Sequence, residues 1–146
     1  MGTTIEIINP KSESEIENYF KIRFKELRKP WGKPLGSEKD SIEDECIHRM
    51  LVRGDEYIGV ARLQYNNESQ AQIKYMAVKQ EYQKQGFGKM LILDIEEIAK
   101  NDGIKEIILQ SREVAIQFYK SLGYRIEKKT HLLFGNIQHF LMRKYL

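Results

Sequence analysis

Residues 75–95 constrain this chain more than any other stretch. The apolar run Tyr75-Met76-Ala77-Val78 is followed shortly by Gln83-Lys84-Gln85-Gly86-Phe87-Gly88-Lys89 and then by the helix-patterned Met90-Leu91-Ile92-Leu93-Asp94-Ile95. Strand, glycine-bearing turn and helix start, in that order, form a cradle for an anion. Glycine lets the backbone approach such a ligand closely. The first N–H groups of a helix have no partner inside it and point into the turn. The helix dipole adds roughly half a positive charge there. Lys84 and Lys89 bring full charges. Taken alone, the same stretch also suits a helix start that binds nothing.

Two common nucleotide patterns fail on these residues. A dinucleotide fingerprint needs a third glycine, and Gly86-Phe87-Gly88-Lys89-Met90-Leu91 ends on leucine. A nucleotide-hydrolysing loop needs a serine or threonine after Gly-Lys to hold magnesium, and Gly88-Lys89 is followed by Met90.

The chain has 146 residues, enough for one core, so residues 1–146 are expected to form a single domain. Its net charge is +3, with lysines and acids interleaved, so no nucleic-acid partner is expected. Cys46 is the lone cysteine; no internal disulfide can form, and a reducing cytoplasm is the simple reading. No apolar run reaches membrane-spanning length, and Met1-Gly2-Thr3-Thr4-Ile5-Glu6 has neither the pattern of a signal peptide nor a good myristoylation context. No metal is expected.

The pattern of apolar residues and turn formers predicts strands over 3–8, 46–52, 57–65, 71–78, 106–110, 124–133 and 137–145. Helices are predicted after Ser12, whose spacing to Glu15 is that of a capping box, from the glycine loop to about residue 101, and over 114–122. Residues 28–41 make a long loop with Pro30, Trp31 and Pro34. This order describes an α+β fold with a mixed sheet, not the strict alternation of a doubly wound domain.

A second segment narrows the ligand. Phe118-Tyr119, followed by Gly123-Tyr124, lies after the strand that succeeds the glycine-loop helix. Together Gln83-x-x-Gly86-x-Gly88 and Phe118-Tyr119-x-x-x-Gly123-Tyr124 resemble the paired motifs of the GNAT superfamily of acetyl-CoA-dependent N-acetyltransferases. Residues 134–144 look like the last hairpin of its small bacterial members. The resemblance implies a mixed, mostly antiparallel sheet of about six to seven strands with helices on both faces. It also implies acetyl-CoA as donor and a small-molecule or peptide amine as acceptor. The reaction would be direct attack by a primary amine in a ternary complex.

The resemblance implies roles as well. Backbone groups around Met76, Ala77 and Val78 would bond the pantetheine arm. The backbone of Gln83, Lys84, Gln85, Gly86, Phe87, Gly88 and Lys89 would hold the pyrophosphate. Tyr119 would protonate the departing thiolate, Phe118 would pack in the core or on the cofactor, and Ser111 would stand in for an asparagine common in the family. The glutamate that many members carry on the central strand is absent from Gln72-Ile73-Lys74-Tyr75. The base is therefore open among Glu81, His48 and His139. That gap also admits an alternative, a catalytically inactive acyl-CoA-binding sensor or partner protein. Arg28, Trp31, His48 and His139 are acceptor-side candidates. Glu38, Asp40, Glu43, Asp44 and Glu45 form an acidic cluster that would draw a cationic amine or would simply be solvated. Cys46 lies in an apolar run, which disfavours an acyl-cysteine route. Edge strands near the C-terminal end leave a homodimer open.

Overall fold

The computed structural model describes residues 4–146; the expectations placed on Met1, Gly2 and Thr3 lie outside these. Seven strands form one sheet in the order β1-β2-β3-β4-β5-β7-β6. They are β1 (Ile5–Ile8), β2 (Ile47–Arg53), β3 (Glu56–Tyr65), β4 (Gln70–Val78), β5 (Glu106–Arg112), β6 (Arg125–Leu133) and β7 (Ile137–Tyr145). Only β4 and β5 run parallel; every other neighbouring pair is antiparallel. Three helices cover the sheet: α1 (Glu13–Leu27), α2 (Phe87–Asn101) and α3 (Ile116–Ser121).

Helix α1 starts where the sequence predicts. Ser12 Oγ accepts from the Glu15 N–H at 3.1 Å, and Glu15 Oε1 accepts from the Ser12 N–H at 3.1 Å, so two orphan donors are satisfied reciprocally. The predicted helix over 114–122 is shorter than expected. Glu113–Ala115 is a 3₁₀ turn and the α-helix begins at Ile116, while β5 runs two residues beyond its predicted end.

Alternation along the strands divides the core between the two faces. Tyr19 and Ile22 of α1 pack on Met50, Val60 and Ala77. On the other face Leu91, Ile92, Ile95 and Ala99 of α2 and Tyr119 of α3 pack with Leu51, Ile58, Leu63, Ile73 and Leu109. Helices therefore lie on both faces, as burial of both sides of a central sheet requires. Tyr124, just past α3, donates to Glu96 Oε2 at 2.8 Å, and Lys144 Nζ lies 3.0 Å from both Glu96 oxygens. This contact ties α2, α3 and β7 together.

Two irregularities shape the site. The β4–β5 ladder covers Gln70–Glu106 to Ile73–Leu109 and then stops, although both strands continue. Beyond that rung the two strands are no longer paired with each other. At the same level the β3–β4 register shifts by one residue between Val60 and Arg62. The extra residue falls in β4, where Tyr75 takes φ 55°. A bulge of this kind bends a strand and re-aims its side chains.

Candidate active site at the splayed strands

The wide end of the splay is floored by the start of α2. Gly86, with φ 89°, is the residue before the helix, and Lys84 also has positive φ at 63°. From Lys84 to Lys89 no main-chain N–H donates to a protein acceptor among the described residues. This leaves a run of donors at the positive end of a 15-residue helix. Gln83 serves differently. Its N–H is given to Gln80 O at 3.3 Å and its side-chain amide to Val78 O at 2.9 Å, so it ties the loop to the end of β4. Gln85 Nε2 likewise bonds Glu81 O at 3.3 Å. Lys84 and Lys89 are exposed, whereas Phe87 is buried with its ring edge-on to Tyr82.

The two glycines of the loop have separate reasons. Gly86 needs a left-handed backbone, and open space surrounds the position a Cβ would take. Gly88 needs closeness: a Cβ there would stand 3.0 Å from Met76 Cε and 3.1 Å from Phe118 Cζ. Met76 of the splayed half of β4, the start of α2 and Phe118 of α3 therefore converge on one point. Phe118 lies edge-on to Tyr119, with ring centroids 5.0 Å apart.

Tyr119 is 7% exposed and its hydroxyl makes no hydrogen bond among the described residues. Burial pushes its pKa up to about 12, against a smaller opposing pull from Arg112. The phenol is thus held protonated and unspent. Ser111 is buried, and its hydroxyl already donates to the Arg112 carbonyl at 2.9 Å.

The histidines separate cleanly. His48 Nε2 lies 2.7 Å from the Glu43 carbonyl, which can only accept, so that nitrogen carries the proton. Its Nδ1 lies 2.7 Å from the Tyr19 hydroxyl. Both ring nitrogens are occupied, and burial lowers its pKa. His139 bonds the Ile137 carbonyl through Nδ1 at 3.0 Å, so Nδ1 carries the proton and Nε2 keeps a free lone pair. Burial lowers the His139 pKa, and the nearby His131, Arg112 and Arg28 lower it further. His139 sits opposite Arg112 in the β5–β7 ladder, beyond the last β4–β5 rung. Glu81 is exposed in the 3₁₀ turn Gln80–Tyr82, on the cradle side.

The acidic cluster divides: Asp44 and Glu45 are exposed, whereas Glu38, Asp40 and Glu43 turn inward. Arg62 and Arg23 are fully buried. Arg62 takes Asp40 in a two-pronged pair, at 2.8 Å and 2.9 Å, and lies 3.1 Å from Glu43. Arg23 binds the same Glu43 at 2.8 Å and the Tyr19 hydroxyl at 3.1 Å. The Arg62 hydrogen bonds hold Asp40 well below the usual carboxylate range. Burial opposes the charge on Glu43, but its hydrogen bond from Arg23 leads it to a lowered pKa. Glu38 is buried and accepts from the Gly36 N–H at 2.7 Å. Asp40 and Glu43 thus neutralise buried arginines instead of facing an incoming amine.

Sequence reasoning missed Tyr75, whose ring has Arg23 at 4.2 Å, Arg62 at 4.8 Å and Arg28 at 5.5 Å. It also missed Phe134, which lies between Arg28 and Lys33, at 5.3 Å and 4.4 Å. Arg28 thus lies against both the Tyr75 and the Phe134 rings. Trp31 is 38% exposed in the 3₁₀ turn Lys29–Trp31. No group of three or more His, Cys, Asp or Glu among the described residues could hold a metal. No helix among them is long and apolar enough to cross a membrane.

Comparison with known proteins agrees with this geometry. The acetyltransferase (GNAT) family model matches residues 15–124. An uncharacterized N-acetyltransferase of Bacillus subtilis, YvbK, is 36% identical over 113 residues, 73% of this chain and 72% of its own. Another from the same organism, YjcF, is 25% identical over 134 residues, 92% of this chain and 95% of its own. Among solved structures, a GNAT family acetyltransferase from Elizabethkingia anophelis with acetyl-CoA bound superposes with TM-score 0.81. It is 20% identical and covers 97% of this chain and 98% of its own. At that identity the likeness is one of fold.

Proposed function

Because this chain belongs to the acetyltransferase (GNAT) family, we propose that it transfers an acetyl group from acetyl-CoA to a primary amine by direct attack in a ternary complex. The observation that carries the reading is the convergence of Met76, Gly88 and Phe118, beside an unspent Tyr119, where β4 and β5 part. Acetyl-CoA is the donor because the run of free N–H groups at Lys84–Lys89 suits a pyrophosphate and the parted strands leave room for an extended arm. It supplies an activated acyl carbon and a thiolate leaving group.

The chain supplies the rest. Main-chain groups of Met76, Ala77 and Val78 orient the thioester carbonyl, and N–H groups aimed at its oxygen stabilise the developing negative charge. Holding both reactants in line removes much of the entropic barrier. His139 Nε2, neutral and unpaired, takes a proton from the attacking amine, directly or through water. The carbon–sulfur bond then breaks, and the Tyr119 hydroxyl hydrogen-bonds and protonates the sulfur. His139 fills the gap left by the missing strand glutamate, which was the motive for a non-catalytic reading. Cys46 is half-buried, and burial raises its pKa, which disfavours a covalent acyl-cysteine.

Titration with acetyl-CoA tests the donor half. At about 100 times its dissociation constant a ligand adds about 2.7 kcal/mol of stability, so the melting temperature should rise by several degrees. No shift at millimolar acetyl-CoA would overturn the reading.

A further inference from the structure

Resting on the acyl-transfer reading, we propose that the acceptor is a small primary amine that also carries an anionic group, a carboxylate or a phosphate, held by Arg28, Lys33 and Arg112. Every buried arginine next to the site has its carboxylate: Arg62 has Asp40, and Arg23 has Glu43. These three half-buried cations do not. Arg28 gives Nε to the Ser37 carbonyl and one terminal nitrogen to the Leu27 carbonyl, at 3.0 Å each, and has no acidic partner. The Lys33 ammonium has neither a hydrogen bond nor an ion pair among the described residues, only the face of Phe134. Arg112 ends β5 beyond the last β4–β5 rung and makes no side-chain contact with an acid among the described residues.

The β6–β7 hairpin gathers the three. Arg28 and Lys33 share the ring of Phe134 in its turn, and Arg112 stands opposite His139 of β7. Arg28 also reaches the ring of Tyr75, the bulged residue at the splay. The carboxylates that could have offset them, Asp40, Glu43 and Glu38, are committed to Arg62, Arg23 and the Gly36 N–H. An anion delivered by the acceptor satisfies this excess. A planar guanidinium meets carboxylate or phosphate through paired N–H donors, and a lysine adds a point charge. The same cations lower the pKa of the neighbouring ammonium, which raises the fraction of neutral amine beside His139 Nε2. Polyamines and other polycations would be repelled.

The test is amine-dependent thiol release from acetyl-CoA with matched acceptors, rates being compared per neutral amine. Amino acids are set against their amides, phosphoethanolamine against ethanolamine, and spermidine stands for polycations. At least tenfold higher kcat/KM for the anionic member of a pair is expected; which pair shows it tells carboxylate from phosphate. Lys33→Gln and Arg112→Gln should each raise KM for that acceptor about fivefold or more. Arg28→Lys should retain more of the preference than Arg28→Gln, which separates charge from loop support. Equal use of both members, or a preference for amides or spermidine, overturns the anionic acceptor and leaves acyl transfer standing. Release with no amine at all overturns both.

Discussion

The ring of Phe118 lies against the backbone of Gly88: a Cβ on Gly88 would stand 3.1 Å from Phe118 Cζ and 3.0 Å from Met76 Cε. One missing side chain thus lets α3 close on the start of α2 and on the splayed end of β4. Gly88→Ala should destabilise by about 1–3 kcal/mol through overpacking, and should weaken acetyl-CoA binding because the loop must shift. Gly86→Ala meets no atom but is held at φ 89°. It should cost about 1 kcal/mol of backbone strain, with less effect on the Phe118 contact. Denaturant melts and acetyl-CoA titrations of the two variants separate these causes.

Tyr119→Phe removes a hydroxyl that bonds to nothing among the described residues. It should therefore leave stability within about 0.5 kcal/mol of the parent or improve it slightly. Tyr124→Phe is the contrast. It removes the hydroxyl that donates to the buried Glu96 at 2.8 Å, and should cost about 1–3 kcal/mol. Equal losses in urea melts would contradict the assignment of the Tyr119 hydroxyl to chemistry.

Glu43 is the shared carboxylate of two buried guanidiniums, at 2.8 Å from Arg23 and 3.1 Å from Arg62. Glu43→Ala should cost about 3–5 kcal/mol, since both arginines stay buried with less compensation. Glu45→Ala, at an exposed position of the same cluster, should change stability by less than about 0.5 kcal/mol. Comparable effects from the two would restore the reading of a solvated acidic loop.

Acid should act in two stages. His48 and His139 have folded pKa values below the unfolded 6.5, chiefly from burial. The unfolded chain therefore binds their protons first, and stability falls as pH drops below about 6.5. The slope is at most about 1.4 kcal/mol per pH unit for each. Asp40 and Glu43 have folded values below their unfolded ones, so their contribution is present above about pH 4 and is lost as pH falls further. Melting temperature followed from pH 7.5 to 3 should show both stages. His139→Asn should reduce the slope of the first stage, leaving the share of His48, and should not alter the second.

Much of the fold was legible because local rules decide it. Ser12 and Glu15 announced α1, Gly54-Asp55 announced the β2–β3 turn, and the two motif segments located the start of α2 and the α3 segment that meet at the splay. The pairing partners of the acidic cluster were less visible, although one signal was present. Arg62 stands within Val60-Ala61-Arg62-Leu63, a strand otherwise apolar, and such an arginine needs a buried counter-charge. Two features had no local trace. The left-handed backbone of Tyr75 follows from a one-residue offset between β3 and β4, a property of register. The difference between His48 and His139 depends on which carbonyls and hydroxyls the tertiary fold brings to each ring.

Amine-dependent thiol release from acetyl-CoA measures most directly whether this chain transfers an acyl group with Tyr119 at the leaving group. Across a panel of amines the parent enzyme should release coenzyme A with at least one acceptor. Tyr119→Phe should lower kcat for that acceptor about 10²-fold or more, with KM for acetyl-CoA little changed. An unchanged kcat across the pH range would remove Tyr119 from its role. Tight acetyl-CoA binding without release by any amine would contradict the enzyme itself.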